Sequence, residues 1–160
     1  MDTVYLTPKG LDKLRNDLNH LMKVVRPEAA QELATAREKG DLSENAEYDA
    51  AREKLTSIDR QIASLYSKLS NVQILEGDNR AHSEVRILSQ VLMKNMKNGK
   101  EIEYILVDPI QAEPAKMLIS VKSPIAKGLL GKSVGDEVVI NIPSGAVTFR
   151  ILEIKASEGL

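Results

Sequence analysis

The chain has 160 residues, 42% of them hydrophobic and 28% charged, with 22 lysines and arginines against 23 aspartates and glutamates. That length suits one domain or two small ones, and the near-zero charge lacks the basic footprint of an autonomous nucleic-acid binder. No cysteine is present, which excludes disulfides, thiolate nucleophiles and zinc–thiolate sites, and the four tyrosines and one phenylalanine are too scattered for a base-stacking platform.

No stretch reaches the roughly 18 apolar residues of a membrane span, and the start MDTVYLTPKG has neither the basic region nor the apolar core of a signal peptide, so a cytoplasmic protein is expected. The imidazoles are His20 and His82. His20 sits beside an apolar seam and His82 in a linker region, and neither acquires a role from its surroundings.

In chain order, Thr7 reads as a helix N-cap with Pro8 at the first helical position and Leu6 placed to staple onto Leu11. The apolar residues Leu11, Leu14, Leu18, Leu21 and Val25 then alternate spacings of three and four, the seam of a coiled coil. Beyond Pro27 the stripe moves to Ala29, Leu33 and Ala36, a four-residue step that predicts a kink or stutter.

A second stripe, Tyr48, Ala51, Leu55, Ile58, Ile62, Leu65, Leu69 and Val72, repeats the pattern. The short Lys39-Gly40-Asp41-Leu42 turn forces the two helices back on each other, facing Leu18 to Leu65, Leu21 to Ile62 and Val25 to Ile58. Helices of roughly 30 residues would make a rod of about 45 Å with the turn at its far end.

Composition changes after Glu76-Gly77-Asp78-Asn79, a turn-forming run read as the boundary between a finger, 1–76, and a second domain, 77–160. Strands are predicted over 84–93 and 101–107, joined across Lys97-Asn98-Gly99, and over 117–121, 136–142 and 146–154. Ser123 and Pro124 begin a short helix stopped by Gly131. The fold class is therefore α+β: an antiparallel coiled-coil hairpin followed by a small antiparallel sheet covered by one helix.

Chemistry concentrates at the turn of the hairpin, where Glu38, Asp41, Glu44, Glu47, Asp49 and Glu53 outnumber Lys39 and Arg52. The helix dipole and free amides keep Asp41 and Glu44 ionised, and two carboxylates without His or Cys suit a hard cation such as Mg²⁺. Such a pair is an incomplete site that needs water, phosphate or a second macromolecule to supply further ligands. On spacing alone, Asp41 as N-cap with Glu44 at the third helical position is the simpler reading, a capping box. Arg37, Arg52 and Arg60 read as solvated or intrahelically paired.

The run Gly40-Asp41-Leu42-Ser43-Glu44-Asn45-Ala46-Glu47-Tyr48, followed by Ala50-Ala51-Arg52-Glu53, resembles the tip of the bacterial Gre transcript cleavage factors. Arg26-Pro27-Glu28 and the stretch Ser123-Pro124-Ile125-Ala126-Lys127-Gly128-Leu129-Leu130-Gly131-Lys132 are similar to the same family, nearer its GreA branch than its GreB branch on Gly128 and Gly131. The stretch Arg86-Ile87-Leu88-Ser89-Gln90-Val91 departs from the family pattern in lacking a glycine expected in the first strand, and Val107-Asp108-Pro109 departs as well.

The resemblance implies a finger that enters the secondary channel of bacterial RNA polymerase and an FKBP-like C-terminal domain that docks on the enzyme's rim through Ser123, Pro124 and Ile125. It implies that Asp41 and Glu44 help hold a Mg²⁺ shared with the polymerase, only in the complex and near the 3′ end of the nascent RNA. Ser43, Asn45, Glu47, Tyr48 and Arg52 would support the tip. The polymerase makes the cut, so the chain is expected to be neither an enzyme nor, with Tyr104 and Phe149 its only aromatics past the boundary, a prolyl isomerase. No membrane partner and no tightly bound cofactor are expected.

The leading expectation is an elongation factor that stimulates cleavage of backtracked RNA and rescues arrested complexes. The alternative is a Gre-like channel occupant that inhibits polymerase without promoting cleavage. A coiled-coil scaffold or clamp would account for the seam but not for the tip run.

Overall fold

A computed structural model describes residues 3–40, 45–75 and 82–157. The chain divides into two compact units, Met1–Val4 with Leu11–Gln73, and Tyr5–Gly10 with Ile74–Leu160. The expected boundary after residue 76 lies outside the described residues.

Strand β1 (Val4–Leu6) leads into helix α1 (Pro8–His20), whose N-cap is Thr7: its hydroxyl accepts from the Gly10 amide at 3.2 Å. The first arm continues through a π-helical turn (Leu21–Val25) into α2 (Arg26–Glu38). The second arm is α3 (Ala46–Ser70), and β2 (Val72–Ile74) pairs with β1. Every residue of the two predicted stripes is buried or half-buried, with Leu14, Leu18, Ala29, Ala36, Ala51 and Ile58 fully so.

The expected stutter takes a specific form. A strict heptad after Val25 would place apolar residues at 28, 32 and 35, yet they stand one position later, at Ala29, Leu33 and Ala36. The π turn absorbs that one extra residue: the Arg26 amide donates to the Leu21 carbonyl, five positions back. Pro27 has no N–H for an i−4 bond, and its ring would press on the Lys23 carbonyl in a regular helix, so the wider turn suits it sterically. Two ion pairs bridge the arms of the hairpin. Arg26 Nε meets Asp59 Oδ1 at 2.7 Å and Lys54 Nζ meets Glu32 Oε1 at 3.0 Å.

The second helix was expected to run to Val72. It stops at Ser70, where Asn71 caps it, its side-chain amide donating to the Ser67 carbonyl at 2.8 Å, and β-branched Val72 and Ile74 go into β2.

The second unit carries a five-stranded sheet in the order β5-β4-β3-β7-β6, built from β3 (Ser89–Asn95), β4 (Glu101–Val107), β5 (Leu118–Ser120), β6 (Glu137–Ile142) and β7 (Gly145–Ala156). The β3–β4 hairpin turns on Gly99 at φ 73, with Asn95 Oδ1 accepting from the Lys97 amide. The sheet was expected to be antiparallel, but β5 runs parallel to β4. The long 108–117 connection, with short 3₁₀ turns at Pro109–Gln111 and Pro114–Lys116, carries the chain from the end of β4 back to the level of Ile105, so that β5 starts beside it at Leu118 and runs in the same direction.

Helix α4 (Pro124–Leu129) is capped by Ser123, whose hydroxyl accepts from the Ala126 amide at 3.2 Å, and it packs on β6. The core joins Val91, Met93, Leu106, Ala126, Leu129, Ile140 and Ile151, with Tyr104, Ile125 and Phe149 packed against it.

The first strand of this sheet begins at Ser89, not at Glu84 as predicted. Leu88 stands in the left-handed region at φ 66, within the run where the family resemblance called for a glycine. Backbone bonds on both sides hold it there: its amide donates to the Leu106 carbonyl at 2.7 Å, and its carbonyl accepts from the Ser157 amide at 3.0 Å. Those bonds offset a conformational cost of about 1–2 kcal/mol.

Candidate functional site at the turn of the hairpin

The two helix ends that flank the turn are closed by different chemistry. At the end of α2, the Lys39 amide donates to the Ala36 carbonyl at 3.3 Å, and Gly40 takes φ 115, open to glycine and strained for other residues. At the start of α3, Asn45 is extended and its side-chain oxygen accepts from the Tyr48 amide at 3.0 Å. The same side chain donates through Nδ2 to the Ala36 carbonyl on the other arm at 2.7 Å.

Two further links cross here. Lys39 Nζ meets Glu47 Oε2 at 2.9 Å, and the Arg37 guanidinium lies 5.9 Å from the centre of the Tyr48 ring, within cation–π range. Arg37 is therefore a cross-arm residue, a correction to its reading as a solvated or intrahelically paired cation. Glu47 and Asp49 stand in the first turn of α3, where the helix dipole favours negative charge.

Asp41, Ser43 and Glu44 lie outside the described residues. Asn45, Glu47 and Tyr48 converge on the end of α2. Arg52 does not join them: it is exposed farther along α3, lining a shallow groove of about 570 Å³ with Asp49, Glu53 and Arg60. The N-cap of α3 is Asn45, so the helix does not take its cap from Asp41 as the capping-box reading had it. Serine, asparagine and aspartate are comparable caps, so the capping-box spacing that pointed to Asp41 did not by itself determine where the helix is capped.

Among the described residues no group of three or more His, Asp or Glu side chains could hold a metal ion. Hydrogen bonding to Asp59, together with that carboxylate's charge, raises the Arg26 pKa above its ordinary value. In the second unit, Ser123 and Ile125 are half-buried and Pro124 is exposed; Ile125 turns toward the core. His82 is buried, with Nδ1 2.6 Å from Ser89 Oγ, which also accepts from the Arg86 amide at 2.9 Å. Sequence carried no signal for that structural pair.

Comparison with known proteins places both units. Residues 4–74 match the family described as transcription elongation factor, N-terminal, and residues 80–156 match transcription elongation factor, GreA/GreB, C-term. The chain is 48% identical over 150 residues to a transcription elongation factor GreA of Flavobacterium johnsoniae, covering 94% of this chain and 95% of that one. It is 45% identical over 154 residues to the GreA of Helicobacter hepaticus, covering 96% and 94%. A solved structure of GreA factor homolog 1 from Thermus thermophilus aligns at 29% identity and TM-score 0.45, over 97% of this chain and 100% of that one.

Proposed function

The chain belongs to the GreA/GreB family of transcription elongation factors, and on that premise we propose that it binds bacterial RNA polymerase and stimulates the enzyme's own cleavage of backtracked nascent RNA, rescuing arrested complexes. The hairpin acts as a finger in the secondary channel, and the second unit docks on the rim through the capped turn Ser123-Pro124-Ile125. The polymerase performs the cut, and this chain delivers side chains to it in the cytoplasm.

The observation that carries the reading is the cross-tied base of the turn. Asp41 and Glu44 are the first and last residues between Gly40 and Asn45, the closed ends of two helices. Their hard oxygen donors fit Mg²⁺, with polymerase, RNA and water completing the shell. When bound, that ion supplies charge stabilisation and an activated water. Asn45, Glu47 and Tyr48 hold the helix ends that bear the two carboxylates, while Ser43 and Arg52 offer polar contacts toward RNA or polymerase. Tyr104 and Phe149 pack on the core, and the reading assigns them no isomerase chemistry.

Asp41→Asn with Glu44→Gln, which keeps size and removes charge, tests this on a stalled, backtracked complex. The double variant is expected to fold, bind polymerase and compete with the unmodified chain, with stimulated cleavage down at least about a hundredfold. Near-normal cleavage by the variant would refute the role of the carboxylates. Inhibition without stimulated cleavage by the unmodified chain would instead support the channel-occupant alternative.

A further inference from the structure

We propose that the open edge of β6 is a second contact for the polymerase, one that takes an extended, acidic segment of that enzyme as an added strand. The inference rests on the function proposed above and adds a surface and a partner chemistry to the docking turn at Ser123.

β6 lies at one end of the sheet order and pairs only with β7. The two-residue turn at Pro143-Ser144 makes Ile142 and Gly145 the closing hydrogen-bonded pair, so Ile142, Ile140 and Val138 direct their backbone groups to β7. The Ile151 amide, donating to the Asp136 carbonyl at 3.0 Å, continues the same alternation. The N–H and C=O groups of Glu137, Val139 and Asn141 therefore point away from the sheet.

Sheet edges in soluble proteins carry devices against such pairing: few residues, lysine or proline within the strand, or a bulge. The other edge, β5, has three residues. β6 has six, EVVINI, with no lysine, no proline and an unbroken register against β7. Its Val139 is 62% exposed.

Charge selects the occupant. A groove of about 330 Å³ lies beside the edge, lined by Lys127 and Gly128 of α4, by Lys132, and by Glu137, Val138 and Val139 of β6. The Glu137 carboxylate is matched by Arg150 at 2.7 Å, which leaves the two exposed lysines to set the sign of the groove. A second copy of this chain paired through β6 would bring four lysines together around the two-fold axis, and like charges oppose that. An acidic strand instead meets both lysines while its backbone fills the unpaired edge, the ladder giving affinity and the carboxylates giving selection. Helix α4 carries both the docking turn and a wall of this groove, so the edge is assigned to the polymerase.

The test measures amide hydrogen exchange of the unmodified full-length chain, free and saturated with core polymerase. The outward amides of Val139 and Asn141 are expected to exchange at least about tenfold more slowly in the complex, with those of Val138 and Ile140 little changed. Val139→Pro removes an outward N–H where proline leaves the β7 ladder intact. It is expected to weaken polymerase binding about tenfold at an unchanged melting temperature. Val139→Ile, which keeps the N–H, should bind normally. Lys127→Glu with Lys132→Glu should weaken binding by a similar factor and flatten its salt dependence.

Bound polymerase with Val139 and Asn141 exchanging as in the free chain overturns this inference alone. Absence of binding by the unmodified chain overturns the proposed function, and this inference with it. Full affinity in the lysine double variant overturns the acidic partner. Dimerisation of the free chain that Val139→Pro abolishes would assign the edge to a second copy and so overturn the proposal. Should Val139→Pro unfold the sheet, the exchange and lysine measurements decide without it.

Discussion

Thr7 and Gln111, 104 positions apart, exchange two hydrogen bonds. The Thr7 amide donates to Gln111 Oε1 at 3.2 Å, and Gln111 Nε2 donates to Thr7 Oγ1 at 2.9 Å, with both residues buried. The N-cap of α1 is thus secured by a 3₁₀ turn that Asp108 caps and Pro109 starts. Gln111→Leu leaves the Thr7 amide buried without its acceptor, an expected loss of about 2 kcal/mol, measured by denaturant or thermal unfolding.

Gly10→Ala sets two effects against each other. Helix propensity alone gives alanine an advantage of about 1 kcal/mol. A Cβ at Gly10, however, would overlap the Gln111 side chain, and that side chain can yield only by breaking its bonds to Thr7. The expected net result is destabilisation by about 1–3 kcal/mol. In a Gln111→Ala background the same change should become neutral or stabilising, and a double-mutant cycle measures the coupling.

Deleting Pro27 removes the stutter and its steric cause together. The apolar stripe then alternates three and four from Leu11 to the end of α2, with no extra residue for a π turn to absorb. The shortened chain should keep its helix content by circular dichroism and melt at the same or a higher temperature. A loss of more than about 2 kcal/mol would show that the wide turn is required by packing and not by the sequence spacing.

Leu18 is 6% exposed. Leu18→Asp places a carboxylate in the hairpin seam, an expected loss of at least about 3 kcal/mol with splaying of the arms and a large drop in helix signal. Unchanged helicity and melting would overturn the placement of Leu18 at the seam.

The hairpin was legible in the sequence because it depends on one-dimensional period. Heptad spacing names the buried face of each arm, the glycine at 40 marks the reversal, and even the one-residue lag after Val25 can be counted along the chain. The Thr7 and Ser123 caps were legible for the same reason, each being a contact between residues three apart. The acidic run from Asp41 to Glu44 and its resemblance to a known tip could likewise be read directly.

What only the tertiary structure decided involves partners distant in sequence or choices among near-equal local options. Asn45 was one of several competent caps, and its second bond goes to a carbonyl on the other arm. Gln111 carries no local signal, because its partner is 104 positions away. The parallel seat of β5 follows from where a loop returns, and the left-handed Leu88 from bonds to Leu106 and Ser157. Propensity and spacing act within a few residues, whereas these contacts are selected by which buried polar groups remain to be satisfied once the chain has folded.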